Sequence, residues 1–123
     1  RIVNVNAIVG RVTDRGLMAT ATNRAACLAF TKSLAVELAP EKILVNSVNI
    51  GLVETPQWEN IRRHLAPDTP LDEFLKATGA RVPLGRMGRP EEVAGIIVFL
   101  ASEQASYIAG ASIDVGGGYG QHV

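Results

Sequence analysis

A chain of 123 residues is a single modest domain, since about 100–200 residues is the usual allotment, and a two-domain enzyme is excluded. Hydrophobic residues at 47% and charged residues at 20% fit a folded globular chain and exclude an acidic disordered tail or a charge-rich coil. Twelve basic residues balance twelve acidic ones, so there is no electrostatic footprint for nucleic acid or an anionic membrane, and no apolar run is long enough to span a bilayer.

Ile2-Val3-Asn4-Val5 followed by Ile8-Val9-Gly10 reads as a buried strand running into a loop from about Gly10 to Gly16. The chain enters this strand with no methionine and no polar lead-in, which suggests a fragment of a longer protein. From about Met18 to Leu38 the spacing of Ala25, Leu28, Ala29, Leu34, Ala35 and Leu38 is helical. So few charges interrupt it that burial on more than one side is expected. Pro40 ends this helix by pushing the residue before it out of the α region. Ile43 to Val48 then reads as a second buried strand.

Between Gly51 and about Ala80, Trp58, Ile61, Leu65, Leu71, Phe74 and Leu75 suggest short amphipathic helices broken by Pro67 and Pro70, in the manner of a mobile lid. Pro90 followed by Glu91 and Glu92 suits a helix N-terminus, and Val93, Ile96, Ile97 and Leu100 continue as a helical stripe. Ala111 to Val115 is a third strand, ended by Gly116-Gly117-Gly118. Strand, helix, strand, helix, strand predicts a parallel sheet with right-handed crossovers, hence an α/β, Rossmann-like, doubly wound fold. Three strands are too few for such a sheet. Residues 1–123 are therefore expected to be the carboxyl-terminal half of one Rossmann-like domain, with 52–82 as a substrate lid inside it.

Several residues invite sharper readings. Gly116-Gly117-Gly118-Tyr119-Gly120 lacks the G-x-G-x-x-G spacing and has no helix to follow it, so a turn is expected instead of a phosphate loop. Cys27 has no disulfide partner, which favours a reducing, cytoplasmic setting, and among Ala25, Ala26 and Leu28 it reads as a small core hydrophobe. His64 and His122 have no neighbours at ligand spacing, so no metal site is expected, and His64 beside Arg62 and Arg63 reads as part of a solvated face. Asp14 and Arg15 are either surface charges or groups at a substrate entrance, the former being commoner. Tyr107 reads as a packing residue. Trp58, Leu65, Phe74 and Leu75 either wall a pocket or close the core.

Four stretches together resemble the short-chain dehydrogenase/reductase family. They are Asn4 to Gly10, Thr20 to Ala26, Asn46 to Thr55, and Pro83-Leu84-Gly85-Arg86-Met87-Gly88-Arg89-Pro90-Glu91-Glu92-Val93-Ala94 with Tyr107-Ile108-Ala109-Gly110. The resemblance implies an NAD- or NADP-dependent oxidoreductase acting on a carbonyl or alcohol, and a homotetramer. It also places Ala7, Thr20 and Arg24 where the family has its serine, tyrosine and lysine. A tyrosine and a lysine four residues apart share a helix face, and the ammonium lowers the phenol's proton affinity from about 10. Threonine is too weak an acid for that work and alanine offers no hydrogen bond, whereas Arg24 keeps a charge that can reach ribose hydroxyls. Gly51 allows either close backbone approach or a positive φ, and the resemblance further implies that Val53 and Thr55, just after it, meet the nicotinamide. The alternative is a dinucleotide-binding or structural subunit that has lost its chemistry, or an inactive fragment.

Overall fold

The computed structural model of the protein describes residues 1–120. Three parallel strands, β1 (Ile2–Ala7), β2 (Val45–Ile50) and β3 (Ser112–Val115), form one sheet in the order β1-β2-β3. Helix α1 (Met18–Leu38) connects β1 to β2. Helices α2 (Gln57–Leu65), α3 (Leu71–Gly79) and α4 (Pro90–Ala101) lie between β2 and β3. The expected α/β Rossmann-like architecture is thus present, as a small three-stranded parallel sheet with a helix against each face.

Strand alternation explains how the two faces differ. Val3, Val48, Ile50, Ile113 and Val115 point towards α4 and pack with Val93, Ile96, Ile97 and Leu100. Val48 and Leu100 are essentially inaccessible, and this cluster is the hydrophobic core. The opposite face begins with the apolar pair Ile2 and Val45 and is polar from there to the carboxyl ends of the strands. Pairing sets Asn4 beside Ser47 and Ser47 beside Ser112 in one row, and Asn6 beside Asn49 and Asn49 beside Asp114 in the next. Asn4 Nδ2 donates to Thr31 Oγ1 of α1 at 2.9 Å, and Asn6 Nδ2 donates to the Arg24 carbonyl at 3.0 Å. Asn49 Nδ2 donates to Ser112 Oγ and to Asp114 Oδ1 while its own oxygen accepts from Ser47, so this buried row is almost wholly satisfied within the chain.

Element boundaries differ from expectation at the strands. β2 starts two residues later than expected because Lys42, at φ 59, turns the chain, and it runs on to Ile50 because Asn49 and Ile50 pair with Asp114 and Val115. Helix α1 is buried along one side only. Within it Thr31 and Ala35 are buried, whereas Met18, Phe30 and Val36 are exposed. The expectation of burial on several sides is not met in the single chain, since β1, β2, the short turns beside them and the turn at Gly110 all lie against the same side of this helix. Cys27 is for the same reason partly exposed and not a core residue. Tyr107, expected to pack, is fully exposed where the turn after α4 projects it outward.

Glu92, third in α4, ties the helix start to the turn before it. Arg86 Nη1 and Nη2 donate to its two oxygens at 2.8 and 2.7 Å, and the Arg89 backbone N–H donates at 2.8 Å. The Arg86 bonds, and after them the Arg89 amide, lower the Glu92 carboxyl to about 2 from its ordinary 4.5. The folded-state value lies below the unfolded one, so the stability this pair adds is fully present above about 4.5 and is lost as pH falls through about 2. Urea midpoints of the protein and of Glu92→Gln should therefore differ at neutral pH and converge as the pH approaches about 2. A gap that stays constant across that window would assign the difference to something other than this carboxylate.

Candidate active site

The carboxyl ends of the three strands converge on glycines and one isoleucine. Gly51, directly after β2, donates its N–H to the Val115 carbonyl at 2.9 Å. A Cβ on Gly51 would lie 2.7 Å from Gly116 Cα and 3.1 Å from Ile8 Cδ1. Of the two uses expected of Gly51, its φ is not positive and the backbone approach it allows is to the chain's own β3 end. Ile8 belongs to the 3-10 turn Ile8–Gly10 that follows β1. The same turn touches α1, because a Cβ on Gly10 would meet the Arg24 carbonyl carbon at 2.8 Å. One short turn therefore contacts both the Gly51 bend and the Arg24 backbone, at the edge where open α/β sheets bind ligands.

Ala7 ends β1 and pairs with Ile50, one residue before Gly51. Thr20 lies in the first turn of α1, exposed, with no hydrogen bond from its hydroxyl among the described residues. Arg24 is one turn further on and half-buried, and its guanidinium has no partner among the described residues. Thr20 and Arg24 share a helix face by their spacing.

Gly51, Val53 and Thr55 line one cleft of about 500 Å³ with Trp58, Ile61 and Ile97. The hydrogen bonds Glu54 N–H to Gly88 carbonyl and Gly88 N–H to Leu52 carbonyl flank Val53, so its own amide and carbonyl point away from Gly88. The carbonyl accepts from the Trp58 indole at 2.7 Å. The amide has no hydrogen-bond partner among the described residues, nor has the Thr55 hydroxyl. An apolar cleft with two unpartnered donors at its rim suits a planar, amide-bearing group. Val53 as a whole is 8% exposed and belongs to the core cluster.

The stretch 52–82 contains two short helices, as expected. Trp58 and Phe74 rings stand 6.4 Å apart at 51°, linking α2 to α3, and Trp58, Leu71 and Leu75 line a second, smaller hollow. Leu65 is exposed and joins neither hollow. Arg62, read from the sequence only as part of the solvated face, ties α2 to the linker that follows it by donating to the Pro67 and Thr69 carbonyls, and also donates to Glu59 within α2. His64 is exposed and its Nδ1 lies 2.7 Å from the Asn60 carbonyl. His122 lies outside the described residues. Among the described residues no group of three or more potential metal ligands occurs. Arg15 is exposed, whereas Asp14 belongs to a cluster with Arg81 and Tyr119.

A parallel α/β sheet with an apolar cleft beyond its strand ends is the architecture of a Rossmann-type protein. A family model described as enoyl-(acyl carrier protein) reductase matches residues 1–120, and the chain belongs to that family within the short-chain dehydrogenase/reductases. It is 42% identical to the 3-oxoacyl-(acyl-carrier-protein) reductase FabG of Aquifex aeolicus, over 96% of this chain and 44% of that protein. Among solved structures, the L-sorbose reductase of Gluconobacter frateurii, complexed with NADPH and L-sorbose, superposes with a TM-score of 0.93 at 30% identity. That match covers 99% of this chain and 48% of the reductase. An NADPH-bound short chain oxidoreductase of Pseudomonas aeruginosa PAO1, described as containing an atypical catalytic center, matches at 36% identity with a TM-score of 0.84, covering 99% of this chain and 46% of that one. The chain thus spans about half the length of the relatives it matches. Among the described residues no helix is long and apolar enough to cross a membrane.

Proposed function

We propose that the whole protein is an NAD(P)-dependent oxidoreductase that moves a hydride between nicotinamide and a small or medium carbonyl or alcohol, with an atypical proton-handling site. Residues 1–123 are its carboxyl-terminal part, and 52–82 is the lid over the substrate. The observation that carries this reading is the pair of unpartnered donors, the Val53 amide and the Thr55 hydroxyl, beside an apolar cleft at the Gly51 bend. These two would hold the carboxamide edge of a nicotinamide, and the free Arg24 guanidinium would hold ribose hydroxyls. The bound dinucleotide supplies or accepts the hydride. The chain's own residues orient it, with Trp58 and Ile61 keeping water from one side. The Pseudomonas relative, NADPH-bound and described as containing an atypical catalytic center, supports cofactor binding beside an atypical centre.

Ala7 removes the substrate-fixing hydroxyl, and Thr20 supplies an alcohol where a phenol is expected. Proton transfer then falls to water or to a group beyond these residues. The same two residues favour a second reading, a dinucleotide-binding subunit without turnover. The exposed apolar side chains Phe30 and Val36 of α1 support assembly into a homotetramer, and the reducing, cytoplasmic setting expected from a lone cysteine completes the proposal. Steady-state assay of the full-length protein with NADH and NADPH across a carbonyl panel tests it. Turnover with one cofactor is expected, whereas dinucleotide binding without turnover would establish the second reading.

A further inference from the structure

Asp14, Arg81 and Tyr119 are far apart in sequence and meet in one triangle. Arg81 Nη2 donates to Asp14 Oδ2 at 3.2 Å and to the Tyr119 hydroxyl at 3.3 Å, and that hydroxyl donates to Asp14 Oδ2 at 3.1 Å. The Arg81 guanidinium carbon also stands 5.9 Å from the Tyr119 ring centre. Burial, and then the hydrogen bond to Asp14, raise the phenol above its ordinary 10, so it stays a donor at neutral pH. The Asp14 and Arg81 side chains are more than half exposed, and an ion pair of that kind alone adds little. The added element is the turn that carries Tyr119. Gly118 and Gly120, at φ 87 and 71, let it pass where a Cβ would meet Pro83 at 3.0 Å or Ile8 Cγ2 at 2.8 Å. The Leu84 amide donates to the Gly117 carbonyl at 3.2 Å. The glycine-rich turn is thus wedged between the exit of the proposed lid and the segment that follows β1.

We propose that Tyr119 is a positioning residue that bolts the lid exit, through Arg81, and the loop between β1 and α1, through Asp14, to the carboxyl edge of the sheet. This rests on the oxidoreductase reading for its effect on turnover, though not for the bolt itself. The loop leads to Thr20 and Arg24, and the lid covers the Gly51 cleft. The bolt therefore sets the distance between the two walls of the crevice and acts on substrate binding more than on the chemical step.

Amide hydrogen exchange on the full-length protein tests it, comparing Tyr119→Phe, Asp14→Asn and the double variant with the parent. Tyr119→Phe keeps the ring and removes both hydrogen bonds. Exchange in 11–17 and 80–85 should rise together by about three- to tenfold, and the double variant should add little to either single one. Arg81→Lys, which keeps the charge and loses the planar fork, should loosen the same two segments. KM should rise in the same range while kcat stays within about twofold. Faster exchange confined to 116–120, or strictly additive effects, would overturn the proposal. Coupled loosening in a protein that shows no turnover would support the bolt and overturn the oxidoreductase reading.

Discussion

Ala7→Ser, Thr20→Tyr and Arg24→Lys introduced together in the full-length protein are expected to raise kcat for carbonyl reduction by about 10²–10⁴. Thr20 and Arg24 already stand one helical turn apart at the start of α1, the first exposed and the second half-buried, and Ala7 ends the strand that leads towards them. A phenol at 20 would project from the helix face it shares with position 24, and an ammonium there would lower its proton affinity from about 10. A hydroxyl on residue 7 would arise at the end of β1 beside Ile50, next to the Gly51 bend. Thr20→Tyr alone should recover only part of the gain, since the groups act as a unit. If the triple variant binds dinucleotide as before and its rate does not change, positions 7, 20 and 24 are not the seats of proton transfer.

Asn46→Ala should be among the most damaging single truncations for stability, at about 2–6 kcal/mol, because it strands two partly buried backbone groups at about 1–3 kcal/mol each. Asn46 is 1% exposed. Its Nδ2 donates to the Ile108 carbonyl at 2.8 Å, and its oxygen accepts from the Ala111 amide at 2.9 Å. The two bonds fix the turn that feeds β3 into the sheet, beside the backbone bonds Gly110 to Val45 and Ser47 to Ala111. A lowered urea midpoint with unchanged slope is the expected result. Asn23→Ala, which loses an exposed bond within α1, should move stability by no more than about 0.5 kcal/mol. An equal effect from both would mean that water replaces the Asn46 amide.

Much of this arrangement is legible in the residues before any coordinates. Apolar runs separate Val45 and Val48 from the helical stripe of Val93, Ile96, Ile97 and Leu100, and Pro90 with Glu91 and Glu92 marks a helix start that the structure reproduces. Harder to see was the polar face of the sheet. Asn46 and Asn49 sit in one strand and point to opposite sides, and only the fold reveals that Asn46 holds the Ile108–Ala111 turn whereas Asn49 holds Ser112 and Asp114. Asp114 and Arg11, joined at 3.0 Å, are 103 positions apart in the sequence. The exposure of Tyr107 and Cys27 was misread for a related reason: local composition reports how apolar a segment is, not how many neighbours cover it. Asp14 and Tyr119 each look like an ordinary surface group, and only their meeting with Arg81 gives them a common task.

The two unlike faces of the sheet also bear on how stability varies with temperature. Exposing apolar surface raises the heat capacity of the unfolded chain, whereas exposing polar surface lowers it. Unfolding this molecule releases Val48, Ile113 and Leu100 from one side of the sheet and Asn6, Ser47, Asn49 and Thr31 from the other, so the two contributions oppose each other. The heat-capacity increment is therefore expected to be smaller than that of a sheet apolar on both faces, and calorimetry should show a correspondingly shallow stability curve on cooling as well as on warming.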